Sequence, residues 1–285
     1  MSECSSHTLF CVEDILKVVL RPLTDEETNL TMLVLRFVCI DIKEIIDLIL
    51  KNKTIHVKAL ARYHTCMYAA SSGNVELLKW VRLLGFNWDR QTCLRAAEGG
   101  HLRVLRWAYG QDCECDHTIC DSAAKGGHLK VLQWARHNGI SWGTNTCANA
   151  ARGGHLRVLQ WAHKKYCPWN ERTCAQAARG GHLKVLQLAR ENGCRWNAQT
   201  CAKAARGGYL QVLQWARNND CPWDELTCAK AARGGSLEVL QWARENGCPW
   251  DEWTCSWAAG GGHLEVLQWA RANGCEGQVD LQICN

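Results

Sequence analysis

The sequence predicts an all-α solenoid of eight stacked helix-turn-helix repeats, preceded by an N-terminal helical cap. The first observation is a 27-residue repeat marked by a Thr-Cys pair. The pair recurs at 65–66, 92–93, 146–147, 173–174, 200–201, 227–228 and 254–255, and Ile119-Cys120 fills the remaining position. The second observation is that apolar residues follow each marker at helical spacing, without a β-branched alternating run. A fixed period of this length is typical of units that must stack to bury their apolar faces.

Each repeat contains two short helices joined by a glycine turn, as one unit illustrates. Asn197 is a natural N-cap, and Ala198–Arg206 is a run of good helix formers. Gly207-Gly208 ends this helix because glycine accepts the left-handed C′ conformation. A second helix is predicted from about Tyr209 to Asn218, and Asp224 is predicted to cap the next unit. Neither helix is long enough to persist alone in water, so neighbouring units must stabilise both.

Fourteen of the 19 cysteines occupy two repeated positions, which indicates packing rather than a disulfide framework. Eight follow the Thr marker, and six follow a second helix, as in Gly193-Cys194. Free cysteine behaves as a small buried hydrophobe. The N-terminus has no basic start, and Glu13-Asp14 interrupts its apolar run, so no export signal is predicted. The thiols are therefore expected to remain reduced.

Composition and charge point to a cytoplasmic or nuclear protein that is neither secreted nor membrane-spanning. The apolar fraction of 47% is ample for a continuous core, and the net charge of +5 does not by itself imply nucleic acid. The best candidate for a membrane span, residues 30–50, carries five charged side chains.

Residues 1–60 do not follow the repeat and are predicted to form a separate helical segment. The repeat array is expected over residues 61–280, and a short tail over residues 281–285. Because the terminal units of a solenoid need a different outer face, the predicted role of the N-terminal segment is a cap.

No catalytic, cofactor or metal site is predicted. The Gly-Gly-His turn before a second helix could be mistaken for an anion-binding nest, but its repetition argues against one phosphate site. Histidines of successive units, such as His155 and His182, are expected roughly 10 Å apart, too far to share a metal ion. Cys174 and His182 of one unit lack a third group to orient them as nucleophile and base. We therefore expect a protein that is not an enzyme.

Tryptophan occupies two further repeated positions. One set lies on second helices (Trp80, Trp107, Trp134, Trp161, Trp215, Trp242 and Trp269), and the other precedes the first-helix cap (Trp88, Trp142, Trp169, Trp196, Trp223 and Trp250). Leu188 and Cys115 each replace one indole, which indicates that these positions need apolar volume. We predict inter-repeat core, with a stacking ladder for single-stranded nucleic acid as the alternative.

A basic residue ends the first helix in five successive units. These residues are Lys125, Arg152, Arg179, Arg206 and Arg233. The favoured interpretation is that each cation complements the helix dipole, as Asp89 and Asp251 do at helix starts. A ladder of cations could instead bind an acidic protein, or, least favoured, a nucleic-acid backbone.

Three parts of the unit match motifs of a known family. Residues 199–205 (QTCAKAA) lie on the motif T-P-L-H-x-A-A, Gly181-His182 on G-H, and Gly247–Asp251 on G-A-x-x-N. The chain therefore resembles the ankyrin repeat over roughly residues 60–280, which implies a protein-interaction scaffold. The unit is shorter than the usual length of about 33 residues. The missing part is where the family's β-hairpin finger would sit, so a fingerless variety is expected.

Trp253 and Trp257 depart from the repeat, since the preceding unit has Leu226 and Lys230 at these positions. The ankyrin resemblance implies that the Lys203, Lys230 and Trp257 position faces the concave surface. We hypothesise that the two tryptophans form part of a protein-binding patch, because tryptophan is enriched in binding hot spots. Packing by the tail Gly277–Asn285 is an equally open alternative. The candidate partner-binding residues are thus Arg152, Arg179, Lys203, Arg206, Lys230, Arg233, Trp253 and Trp257.

The N-terminal segment also resembles a degenerate F-box. The resemblance rests on an acidic-Ile-Leu first helix at Glu13–Leu16 and on the run Leu35–Cys39, whereas the family's Leu-Pro start and later tryptophan are missing. An F-box would imply a substrate adaptor of a cullin-RING ubiquitin ligase, with the repeats selecting the target. The leading hypothesis remains a plain helical cap on a non-catalytic scaffold, which binds a protein of unknown identity through its concave face and loop tips.

Overall fold

The computed structural model of the chain describes residues 65–83 and 86–275. The chain divides into two units, residues 1–65 and 66–285, and the described residues belong almost wholly to the second. The predicted cap, the F-box-like segment and the tail lie outside the described residues. Their bounds therefore stay predictions.

Helices of eight or nine residues follow one another along the described chain, after a helical stretch at 65–71. They are α1 Val75–Leu83, α2 Arg90–Glu98, α3 Leu102–Tyr109, α4 Thr118–Gly126, α5 Leu129–His137, α6 Thr144–Arg152, α7 Leu156–Lys164, α8 Glu171–Arg179, α9 Leu183–Glu191, α10 Ala198–Arg206, α11 Leu210–Asn218, α12 Glu225–Arg233, α13 Leu237–Glu245, α14 Glu252–Gly260 and α15 Leu264–Ala272. Within these residues there is no strand. The predicted all-α solenoid of eight helix-turn-helix units is confirmed.

The first helix of each unit lies on the inner side of the array and the second on the outer side. The inner helices (α2, α4, α6, α8, α10, α12 and α14) contact their successors closely, whereas successive outer helices lie farther apart. The reason is side-chain size, since small buried residues such as Thr200, Cys201 and Ala204 line the inner helices. Close approach on one side curves the array, so the inner helices form its concave side.

A continuous core runs between the inner and outer helices. In one unit, Cys201 and Ala205 pack with Val212, Leu213 and Ala216, all buried, and the other units repeat this set. The cysteines among the described residues are free thiols, and all but Cys115 are buried, in agreement with the predicted packing role.

The two cysteine positions also join the helices of one unit through hydrogen bonds. The Cys201 thiol donates to the Cys221 carbonyl at 4.0 Å, and the Cys221 thiol donates to the Asn197 carbonyl at 3.6 Å. Burial raises the pKa of Cys66 to about 11 and that of Cys120 to about 12. These thiols therefore stay protonated at neutral pH.

Most inner helices begin at a side-chain cap. The Asn197 Oδ1 accepts a hydrogen bond from the Gln199 amide at 3.1 Å, and Asp251 caps α14 in the same way. The prediction was wrong for Asp224. This residue occupies the N-cap position of α12, but its side chain accepts no cap hydrogen bond, and its Oδ1 is buried without a partner among the described residues. Its carboxyl group instead lines a cavity beside Trp253.

In five units the histidine after the glycine turn fastens the unit to the one before it. His182 Nε2 lies 3.0 Å from the carbonyl oxygen of Arg152, at the end of the preceding inner helix. Because a carbonyl only accepts, this nitrogen carries the proton. His101, His128, His155 and His263 make the equivalent contact at 2.8–3.2 Å. The repeated histidine is thus an inter-repeat clasp, a role that the sequence motif alone did not predict.

Candidate protein-binding face

Three positions of each inner helix point away from the core and form what we call the inner face. In α10 they are Gln199, Lys203 and Arg206, at the i, i+4 and i+7 spacing of one helix side. Equivalent positions of successive units lie next to each other. For example, Arg172 Nη1 donates to Asn145 Oδ1 at 3.1 Å. The inner face is therefore one surface that crosses all units.

Charge on the inner face is neutralised at the N-terminal end of the array. The Glu98 carboxylate accepts hydrogen bonds from Lys125 Nζ at 2.6 Å and from Arg95 Nη1 at 3.2 Å. The hydrogen bond from Lys125 is the main cause that lowers the pKa of Glu98. Lys125, the first member of the predicted basic ladder, is thus paired with an anion.

Six further cations of the inner face form what we call the basic face. Its members are Arg152, Arg179, Lys203, Arg206, Lys230 and Arg233. Within residues 65–83 and 86–275, the ion pairs involve other residues, and none of these six side chains donates to a carboxylate. The four arginines lie in the last turns of α6, α8, α10 and α12, the position that the dipole interpretation requires. Their charge nevertheless stays uncompensated by any described anion.

Five of the six cations, all but Arg152, are close enough to influence the two lysines. Partial burial, followed by the charges of Arg179 and Arg206, lowers the pKa of Lys203. Partial burial also lowers the pKa of Lys230, with further contributions from Arg233, Arg206 and Lys203. Like charges held together in this way favour the binding of an anion, which would relieve the repulsion.

Trp257 lies beside the basic face and contacts two of its cations. Lys230 Nζ lies 4.3 Å from the centroid of the Trp257 ring, and Arg233 Cζ lies 5.4 Å from it. Such cation–π contacts hold the two long side chains near the ring. Trp253 packs against Trp257 at a centroid distance of 6.2 Å, and its own side chain is 54% exposed. The structure therefore brings both predicted tryptophans together with the C-terminal half of the basic face.

A cavity of about 290 Å³ opens between α12 and α14 beside the two indoles. Its walls are Asp224, Glu225, Leu226, Ala229, Asp251, Trp253 and Trp257. The alternative that the C-terminal tail packs on the tryptophans concerns residues outside the described part of the chain. The partner-binding role of both tryptophans stays a hypothesis.

The two repeated tryptophan sets pack against the core at its outer edge and are only partly buried, so the predicted place in the inter-repeat core is met in part. Trp196 and Trp215 meet edge to face at 5.8 Å within one unit, and both remain partly exposed. The Arg190 guanidinium lies 4.1 Å from the Trp196 ring centroid. Because the outer helices lie farther apart than the inner ones, the space between them leaves these rings partly in solvent.

Near the two positions that lack an indole, the remaining tryptophan contacts another aromatic ring. Next to Leu188, Trp169 stacks on His163 at 3.8 Å. Next to Cys115, Tyr109 meets Trp134 at 5.3 Å. The sequence prediction that apolar volume alone suffices is therefore incomplete, since aromatic contacts persist in these units.

Within the part of the chain that the structure describes, no three histidine, cysteine or acidic residues are grouped so that they could hold a metal ion. None of the helices described there has the length and apolar character that crossing a membrane requires. The predicted cytoplasmic or nuclear location stays a prediction.

No protein-family model and no curated protein matches this chain. Solved structures of 180 chains match it, among them the human ASB11 ankyrin repeat domain. That structure is 15% identical, with a TM-score of 0.43 over 55% of this chain and 84% of that one. This similarity concerns the helical repeat alone. The F-box resemblance gains no support from these comparisons.

Proposed function

We propose that this chain is a non-catalytic scaffold that binds a partner protein on its inner face. The single observation that carries the proposal is the basic face, whose six cations have no ion-pair partner among the described residues and which adjoins the exposed Trp253. Arginine and tryptophan are the residue types most enriched in binding hot spots. An acidic partner surface would supply the missing anions.

The side chains that could suggest chemistry have structural partners instead. His182 contacts a backbone carbonyl of the preceding unit, and Cys174 is buried with its thiol directed at the Cys194 carbonyl, 3.9 Å away. These contacts occupy the groups that a nucleophile and a base would need free. They support a scaffold rather than an enzyme.

Site-specific photo-crosslinking tests the proposal. A photoreactive residue at Gln199, exposed on the inner face, should crosslink a partner protein in cells, whereas one at Lys184, exposed on the outer helix α9, should not. The double substitution Lys203→Glu/Lys230→Glu should abolish the crosslink from Gln199, and Lys184→Glu should leave it unchanged. Equal crosslinking from both positions, or no effect of the double substitution, would contradict the inner-face assignment.

A further inference from the structure

Resting on the proposed function, we propose that the basic face binds an extended acidic segment of a partner protein that carries a carboxylate at every third residue. The argument starts from the spacing of the four arginines, which recur once per unit at the ends of α6, α8, α10 and α12. Neighbouring helices pack at about 8–10 Å. The small residues between the inner helices allow this close approach, so we expect the backbone positions of successive arginines to repeat at about that distance.

A polyproline II segment reproduces this spacing. It has three residues per turn and rises about 3.1 Å per residue, so every third side chain returns to the same side after about 9 Å. Carboxylates at positions i, i+3, i+6 and i+9 would therefore each meet one of Arg152, Arg179, Arg206 and Arg233. Each pair can form a bidentate, charge-assisted contact.

Other regular conformations fit the four arginines less well. A β-strand places side chains on one face at every second residue, about 6.7 Å apart, which is too short a repeat. An α-helix repeats at about 10.5 Å for seven residues, but it drifts by about 20° per heptad. Across the three intervals between four arginines, the helix would turn by about 60° away from the basic face.

Charge along the inner helices confines an anionic segment to one edge of the inner face. Glu171 and Glu225 begin α8 and α12, while an arginine ends each of α6, α8, α10 and α12. The two ends of a nine-residue helix lie about 12 Å apart. Lys203 and Lys230 lie one turn before Arg206 and Arg233 and add charge on the arginine side.

The same face is poorly suited to single-stranded nucleic acid. Proteins that bind single strands place aromatic side chains where successive bases can stack. From α6 to α12 the inner face carries no aromatic residue, and the repeated indoles of the outer side are already in contact with each other or with arginine. The spacing and the lack of stacking rings together favour a protein segment.

Fluorescence anisotropy with the full chain and two labelled 12-residue peptides tests this inference. The first peptide carries four glutamates at every third position among proline, serine and alanine. The second has the same composition with the glutamates at every second position. We expect the first peptide to bind at least about tenfold more tightly at physiological salt, which corresponds to about 1.4 kcal/mol.

Single substitutions locate the binding. Arg206→Ala should weaken binding of the first peptide about tenfold, because Arg206 is exposed and its loss removes one carboxylate contact. Lys184→Ala, on the outer helix, should leave it unchanged. Circular dichroism of both variants checks that the fold is intact.

Four outcomes would overturn the inference. Equal binding of the two peptides would mean that net charge alone is recognised. Tighter binding of a helical peptide with glutamates seven residues apart would mean that the partner segment is a helix and not an extended chain. Tighter binding of a random single-stranded oligonucleotide would make nucleic acid the ligand. A partner that crosslinks from Gln199 but lacks an acidic segment would overturn the spacing inference and leave the proposed scaffold function standing.

Discussion

The second glycine of most Gly-Gly turns meets two requirements at once. Gly154 has φ of +73°, the left-handed region that favours glycine. A Cβ at this position would also lie 2.6 Å from the His182 ring of the next unit. Gly262 has nearly the same φ, +71°, but nothing within 4 Å of its Cβ direction. Substitutions at these two glycines therefore distinguish the cost of backbone strain from the cost of losing the inter-repeat contact.

We expect Gly262→Ala to lower the free energy of unfolding by about 1–2 kcal/mol, the cost of left-handed backbone for alanine. Gly154→Ala should cost about 1–3 kcal/mol more, because the methyl group overlaps the His182 ring. Urea denaturation followed by circular dichroism measures both values. A second substitution, His182→Ala, should remove most of the additional loss at Gly154. Equal losses at the two glycines would contradict the clasp.

Cys115 differs from the other described cysteines because it is only partly buried. It stands where most units have a tryptophan, and a hydrogen bond from the Cys93 thiol lowers its pKa. By contrast, burial raises the pKa of Cys120 to about 12. The thiolate is the reactive form, so the two residues should differ in reactivity.

We expect iodoacetamide at pH 7.5 to modify Cys115 before Cys93, Cys113 or Cys120 in the folded protein. Since the pKa of Cys115 is lowered, its rate of modification should level off at a lower pH than that of an ordinary thiol. Mass spectrometry of proteolytic peptides measures the rates, with Cys115→Ser as the control. Rapid modification of Cys120 would contradict the closed core.

At the scale of single helices, the sequence predicts the helix bounds more accurately than it predicts the contacts of single side chains. The inner helix Ala198–Arg206 has the predicted bounds, and the outer helix Leu210–Asn218 begins one residue later than predicted. Propensity, caps and glycine turns act within a few residues, so a short window of sequence suffices. Asp224 has the residue type and position of a cap and yet makes no cap hydrogen bond, an outcome that a local window of sequence does not predict.

Two substitutions of Trp215, on the outer helix α11, should lower the free energy of unfolding by different amounts. Trp215→Leu should lower the free energy of unfolding by about 0.5–1.5 kcal/mol, the worth of its edge-to-face contact with Trp196. Trp215→Ala should cost about 3 kcal/mol or more, because it also leaves a gap beside the core. Urea denaturation measures both, and Gln211→Ala, exposed on the same helix, should change stability by less than about 0.5 kcal/mol. Equal costs for leucine and alanine would show that packing volume is unimportant there.

At the scale of the whole array, each unit depends chiefly on its neighbours, as in other solenoids. Deleting residues 144–170 removes one complete unit and joins Gly143 to Glu171. His182 would then meet the Lys125 carbonyl and Gly127, the contacts that His155 makes in the intact chain. The remaining interfaces keep the same kinds of contact.

We expect this deletion to leave the mean residue ellipticity at 222 nm nearly unchanged and to lower the free energy of unfolding, since one inter-repeat interface is lost. Deleting only residues 144–152, which form α6, should instead disrupt the stack, because an outer helix would follow another without an inner helix between them. Far-UV circular dichroism compares the two. A similar loss of helix in both deletions would contradict the modular array.

Taken by itself, the sequence determined the repeat, the helix pairs and the buried thiols, because a 27-residue period and local helix signals act along the chain. Only the tertiary structure decided which charges find partners. Glu98 neutralises Lys125 across one inter-repeat contact, whereas Arg206 and Arg233 meet no described anion. Tertiary packing also decided that histidine clasps the preceding unit and that the indoles stay at the outer edge. Such contacts depend on distances between residues about one repeat apart, which the order of amino acids does not show.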